Sequence, residues 1–197
     1  MSAALAADLD SSFEQVVVAY QHRLHAFALR MAENPQDAEE ITQDAFVRAY
    51  RALSRYPASR IRTLALRPWL YQILLNVFRN RVRQRRLQLV PLDQGNEGEL
   101  ELEGGTEARP DTALERAEIK ASLDALVAAL PERYRLAVVL RHIQGFSYGD
   151  MAMVLKQPIG TVKANVHRGV RMLRQALDGQ KQAESSRVHM HARRRIK

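Results

Sequence analysis

Residues 146–177 read Phe-Ser-Tyr-Gly-Asp-Met-Ala-Met-Val-Leu-Lys-Gln-Pro-Ile-Gly-Thr-Val-Lys-Ala-Asn-Val-His-Arg-Gly-Val-Arg-Met-Leu-Arg-Gln-Ala-Leu. The pattern predicts a short helix, a tight turn, and a longer helix with one apolar and one basic face. That is the layout of a helix-turn-helix, whose second helix fits a major groove. Ser147 is placed to cap the first helix, because its hydroxyl can accept an orphan backbone N–H. Met151, Val154 and Leu155 give that helix an inner face. Lys156-Gln157-Pro158 breaks it, and Pro158 suits the first turn of the next helix, where no N–H is missed. Val162, Val166, Val170, Leu173 and Leu177 then recur at helical spacing. The opposite side carries Lys163, Asn165, Arg168 and Arg171. Asn and Arg are the side chains that pair bidentately with adenine and guanine edges. A solvated basic face on an ordinary hairpin leaves the same pattern, as do basic helices that bind membranes or partners.

Composition agrees with a polyanionic partner. The chain has 197 residues, a net charge of +8 and no Cys. Its sequence pI is about 10.2. Without Cys there are no disulfides, zinc ribbons or thiol catalysis. No apolar run approaches the roughly 18–20 residues that span a bilayer. Residues 1–12 lack the positive n-region of a secretory signal. A cytoplasmic protein with no membrane insertion is expected.

Charge divides the chain. Residues 1–12 read as an N-terminal tail, and residues 13–86 as a helical domain ending in Arg79, Arg81, Arg83, Arg85 and Arg86. Residues 87–111 read as a flexible acidic linker, with Asp93, Glu97, Glu99, Glu101, Glu103, Glu107 and Asp111 among Gly and Pro. Such a segment cannot bury enough apolar area to offset its ordering entropy. Residues 112–178 read as a second helical domain holding the helix-turn-helix, and 179–197 as a basic tail. The expected fold is all-α, two small domains that need not touch, with neither strand alternation nor an internal repeat.

In the first domain, Phe13, Val16, Val17, Tyr20, Leu24, Phe27 and Met31 form an apolar stripe. Asn34-Pro35-Gln36-Asp37 is a helix start: Asn caps, Pro takes the first turn, and Asp favours the positive dipole end. The helix it opens runs to about Leu53. It buries Ile41, Ala45 and Ala49 and presents Asp37, Glu40, Gln43, Asp44, Arg48 and Arg51. After a loop containing Arg60 and Arg62, Pro68 begins a helix to about Arg86. Leu70, Ile73, Leu74, Val77 and Val82 face inward; Gln72, Asn76, Arg79, Asn80 and Arg83 share the other face. Amides and arginines beside Trp69 and Tyr71 suit nucleic acid: charge for phosphates, amides for base edges, rings for stacking. Trp69 and Tyr71 equally suit core anchors.

Asp37-Ala-Glu-Glu-Ile-Thr-Gln-Asp-Ala-Phe-Val-Arg-Ala-Tyr50 resembles region 2.2 of bacterial sigma factors. Trp69-Leu70-Tyr71 with Asn76 and the Arg-rich end resembles regions 2.3–2.4. Leu130-Pro131-Glu132-Arg133-Tyr134-Arg135, then Gly160-Thr161-Val162-Lys163 and His167-Arg168, resembles region 4. The chain is thus similar to the sigma-70 family of RNA polymerase initiation factors. Its two-domain form points to the extracytoplasmic-function (ECF) group. The resemblance covers residues 13–86 and 112–177 in the family's order.

It implies a sigma factor that binds core RNA polymerase and directs promoter-specific initiation. Docking on the β′ clamp coiled coil would fall to Asp37, Glu40, Gln43, Asp44, Arg48 and Arg51, with the β flap a further contact of core polymerase. Opening of the −10 element and capture of a flipped base would fall to Arg60, Arg62, Arg67, Trp69, Gln72, Asn76, Arg79, Asn80 and Arg83. Duplex −35 reading would fall to Thr161, Lys163, Asn165, His167 and Arg168, with Arg171 and Arg174 further along toward phosphates. The linker would thread toward the polymerase active centre, its acids mimicking RNA phosphates. An anti-sigma factor is a further implied partner; no cofactor is. The alternatives are a helix-turn-helix regulator acting without polymerase and an adaptor whose basic face meets an acidic protein.

Three departures from the family's pattern stand out. The loop from Tyr56 to Trp69 is a few residues longer, and Pro68 takes a Thr position. Ala164-Asn165 replaces the common Ser-Arg, moving the preferred −35 base toward adenine. Gly149 replaces a Glu, which costs its helix up to about 1 kcal/mol. His22 and His25 lie at i and i+3, but structural zinc normally needs four ligands and no third is evident. No nucleophile–base pair or phosphate-binding glycine loop supports an enzyme.

Overall fold

In the computed structural model of the chain the described residues are 1–32, 34–88 and 110–194, with side chains 86, 88, 110–118 and 180–194 excepted. Every regular element among them is helical. The first half comprises α1 (Ser2–Ala7), α2 (Leu9–Leu29), α3 (Pro35–Leu53), α4 (Ala58–Arg62) and α5 (Leu66–Gln88). The second comprises α6 (Pro110–Ala128), α7 (Glu132–Val138), a π-helical turn (Val139–Ile143), α8 (Tyr148–Leu155) and α9 (Ile159–Arg194).

The caps act as the sequence predicts. The Asn34 side chain accepts the Asp37 N–H at 2.8 Å, and Pro35 opens α3. The Ser147 hydroxyl accepts the Asp150 N–H at 3.1 Å and starts α8. Lys156 ends α8 with φ 53°, the left-handed conformation a tight turn needs. The Val162 N–H then bonds the Pro158 carbonyl at 3.1 Å, so Pro158 stands immediately before α9, which opens at Ile159. In the first core, Val16, Leu24 and Phe27 of α2 meet Ile41, Ala45 and Ala49 of α3 and Leu70 and Leu74 of α5. In the second, α7 and α9 pack closely: a Cβ at Gly169 would stand 2.6 Å from Val138 Cγ2 and 3.2 Å from the Tyr134 carbonyl.

Two expectations about the ends of the chain change. Residues 1–12 are not a tail: they form α1 and the start of α2, with Leu5 only 1% exposed. Leu5 and Leu9 supply apolar anchors, and the Asp8 carboxylate caps α2 by accepting the Ser11 N–H at 3.2 Å. Ser11, through its hydroxyl first and its N–H second, holds the Asp8 carboxyl below its ordinary value. At the other end, α9 continues past 178 to Arg194, through a Pro-free run rich in good helix formers. The linker expected over 87–111 lies, save for its helical ends, outside the described residues, as do 195–197.

The two halves also touch. The Tyr71 hydroxyl donates to Gln144 Oε1 at 2.6 Å, and its ring meets Phe146 edge-on at 4.8 Å. Both rings are fully buried. Arg67 donates to the Gln144 carbonyl and lies 4.3 Å over the Phe146 ring. Gln72 Nε2 donates to the Met153 carbonyl at 3.0 Å. Arg79 pairs with Glu132 at 3.7 Å, and Arg30 with Asp124 at 3.5 Å. Burial pushes the Tyr71 phenol up to about 12, with Arg67 beside it pulling the other way.

Candidate nucleic-acid and polymerase interfaces

On α5, Trp69, Gln72, Ile73, Asn76 and Asn80 recur at helical spacing and so share one stripe. With Tyr56, Arg79 and Arg48 they line one open groove of about 590 Å³. Trp69 is half-buried at the edge of the core, its ring 6.1 Å from that of Tyr56. Anchoring and presentation therefore coincide in it. Asn76, Arg79 and Arg83 are exposed. The half-buried Asn80 accepts from Arg83 at 3.4 Å through its side-chain oxygen. Arg60 and Arg62 are exposed on α4, and Arg60 lies 3.8 Å over the Tyr56 ring. One residue departs from the sequence reading: Arg67 turns away from the groove to Gln144 and Phe146. Of the two roles open to Tyr71, its complete burial is that of a core anchor. Tyr56 was not singled out from sequence; a Tyr directly before Pro57 at a helix end carries little signal on its own.

On α9, Thr161, Lys163, His167, Arg168, Arg171 and Arg174 are exposed, while Val162 and Val166 are buried. Lys163, His167, Arg171 and Arg174 edge a shallow groove floored by Val166 and Val170. Tyr148 joins them from α8, with Arg141 4.7 Å and Lys163 5.7 Å from its ring. Asn165 does not join this face. Expected on the outer face, it is 8% exposed, and its Nδ2 donates to Gln157 Oε1 at 3.3 Å. Position 165 lies three residues from Val162 and one from Val166, so it falls on the stripe facing the turn.

On α3, Glu40, Gln43, Arg48 and Arg51 are exposed and Asp44 is half-exposed. Asp44 pairs with Arg48 one turn on, at 2.9 Å. Asp37, expected on this face, is buried at 4% exposure. Its Oδ1 lies 2.6 Å from Arg85 and 3.2 Å from Arg81, and its Oδ2 accepts from Asn34 at 2.9 Å. The Arg-rich end of α5 folds back over the start of α3 and covers it. Arg81 also binds Glu40, which raises the Arg81 guanidinium above its ordinary value. Beside this face, His22 and His25 share a groove with Glu39 and Gln43. Among the described residues no group of three His, Cys, Asp or Glu could hold a metal ion. No described helix is long and apolar enough to cross a membrane.

The groove-bearing elements coincide with matches to known families. Residues 16–88, α2 through α5, match Sigma-70 region 2, and residues 120–173 match Sigma-70, region 4. The chain is 32% identical over 171 residues to the RNA polymerase sigma-H factor of Pseudomonas aeruginosa, covering 85% of this chain and 84% of that one. It is 30% identical over 174 residues to the ECF RNA polymerase sigma factor SigW of Bacillus subtilis, covering 84% and 89%. Its fold is similar to that of the sigma factor RpoE of Bartonella quintana, solved in complex with the anti-sigma factor NepR. That likeness has a TM-score of 0.70 and 24% identity, and covers 85% of this chain and 97% of that one. The chain belongs to the sigma-70 family, in its ECF group, and is a polymerase-binding sigma factor.

Proposed function

We propose that the α5 groove captures the opened −10 strand while the outer face of α9 reads the −35 duplex. The observation that carries this is the gathering of Tyr56, Trp69, Gln72, Asn76, Arg79 and Asn80 around one open groove. Rings there stack on an unpaired base, and the amides of Asn76 and Asn80 offer it paired donors and acceptors. Arg60, Arg62, Arg79 and Arg83 track the backbone charge. On α9, Lys163 and Arg168 take base edges. Thr161, His167, Arg171 and Arg174 take phosphates. Asn165 acts by holding the turn to α9 through Gln157, not by reading adenine. The α3 face with Glu40, Gln43, Asp44, Arg48 and Arg51 docks on the β′ clamp coiled coil, and the second domain on the β flap. Asp37 serves that face from beneath. The acidic segment threads the polymerase in place of RNA. An anti-sigma factor is a further partner, supported by the likeness to a sigma factor solved with one.

Reading both elements requires the halves to part. Their positions, −35 and −10, lie about 25 base pairs apart, or about 85 Å of duplex at 3.4 Å per pair. Halves in side-chain contact cannot span that. Residues 89–109 provide a fully extended reach of about 70 Å beyond the helix ends. Parting frees Arg67 and Gln72 from Gln144 and Met153 for the −10 strand.

The test is Asn80→Ala in holoenzyme. Open-complex formation, followed by permanganate reactivity, should fall while the isolated −35 duplex is bound as before. Normal melting at limiting concentration would remove Asn80 from the −10 site.

A further inference from the structure

We infer that α1 is a positioning element for the 57–67 loop, and through it sets the −10 base preference of this chain. The inference rests on the −10 groove proposed above, which Arg60 and Arg62 of that loop flank and Tyr56 beside it lines. α1 is joined in sequence to α2 yet packs chiefly on α4, more than 50 residues away. Leu5 is 1% exposed, and it belongs to the same buried cluster as Ile61 of α4 and Leu66 at the start of α5. The Ser2 hydroxyl donates to the Leu64 carbonyl at 3.1 Å, tying the first turn of α1 to the chain leaving α4. Asp8 turns the chain between α1 and α2 with an extended backbone, φ −146° and ψ 104°. Ala3, Ala4, Ala6 and Ala7 keep α1 thin, which allows its close approach to α4.

A helix of five residues has no stability of its own, because nucleation costs more than so few bonds return. The shape of α4 must therefore come from what it packs on, and α1 is its main support. On its outer side α4 carries Arg60, which lies 3.8 Å over Tyr56, and Tyr56 lines the −10 groove with Trp69. A continuous line of contacts thus runs from Leu5 and Ser2 through α4 to the groove. Removing the support lets Arg60, Arg62 and Tyr56 shift relative to Asn76 and Asn80.

The experiment uses full-length chains assembled with core polymerase, transcribing promoter libraries randomised in the −10 element or in the −35 element. Leu5→Ala should flatten −10 base preference about tenfold, within the roughly 5- to 150-fold that one mismatched base pair costs. Its −35 preference and affinity for core should stay at the parental level, and Leu5→Met should restore −10 preference. An unchanged −10 profile with a uniform fall in transcripts overturns the inference, as does an equal loss of −10 and −35 preference. Should Leu5→Ala fail to fold, Ser2→Ala carries the same readout: a flattened −10 profile supports α1, and an unchanged one refutes it. Arg62→Ala separates the two levels. If it alters the −10 profile and the α1 variants do not, α1 is not the positioning element. If neither does, the loop itself does not read the −10 element.

Discussion

Two guanidinium groups and one amide converge on the carboxylate of Asp37, which is 4% exposed. Removing one member of a fully buried pair strands the others at about 3–5 kcal/mol. Arg81 and Arg85 are 31% and 42% exposed, so water screens much of that here. Asp37→Ala should therefore cost roughly 1–3 kcal/mol, read as a lower denaturant midpoint at unchanged slope. A loss of core binding with stability intact would instead return Asp37 to the docking face. At Arg168 the question is specificity. Arg168→Ala should cost about 1–3 kcal/mol of −35 affinity and relax preference at one base pair. Arg171→Ala should weaken all sequences alike and flatten the salt slope by about one unit. Binding to single-base −35 variants at several salt concentrations distinguishes them. A uniform loss from Arg168→Ala would place it among the phosphate contacts. Residue identity was legible where a role is local. Asn34 and Ser147 cap because their side chains reach N–H groups three residues on. Asp37 and Asn165 were misplaced because their partners, Arg81 and Arg85 for one and Gln157 for the other, come from another element or the turn.

At the scale of elements, α9 depends on a close approach to α7. Gly169→Ala gains up to about 1 kcal/mol of helix propensity but forces a methyl group against Val138 and the Tyr134 carbonyl. Overpacking of this kind costs about 1–3 kcal/mol, so the second half should melt at a lower temperature. A raised Tm would show that α7 gives way freely. Helices with strong periodicity and clear start signals, α3 and the α8–α9 pair, were readable from sequence, since their burial follows from spacing. α1 was not. Six residues of mostly Ala hold too little pattern, and the element they pack on, α4, lies far along the chain. The continuation of α9 past residue 178 was missed for a related reason: a polar run without Pro suits a helix and a tail alike.

For the whole molecule, the decisive feature is the contact between halves, which no local signal announces. Gln144 and Phe146 lie just outside regular helix, and only the fold brings them to Tyr71 and Arg67. The stripe proposed for the −10 strand was legible as one face because its residues sit on one helix; its partial occupation by Met153 and Glu132 was not. The chain has no Cys, so single pairs can be introduced cleanly. Joining Arg30→Cys to Asp124→Cys with a short bis-maleimide should hold the halves together and abolish promoter-dependent transcription. The same double variant left unlinked should transcribe. Full activity of the linked chain would mean that the halves need not part. The central claim, two separate promoter elements read by α5 and α9 on one polymerase, is tested most directly by run-off transcription with core polymerase. The template is a promoter library randomised over both elements. The expected result is enrichment of two sequence blocks about 25 base pairs apart, the upstream block relaxed by Arg168→Ala and the downstream one by Asn80→Ala. No promoter-dependent transcript, or one block that both substitutions relax, would contradict it.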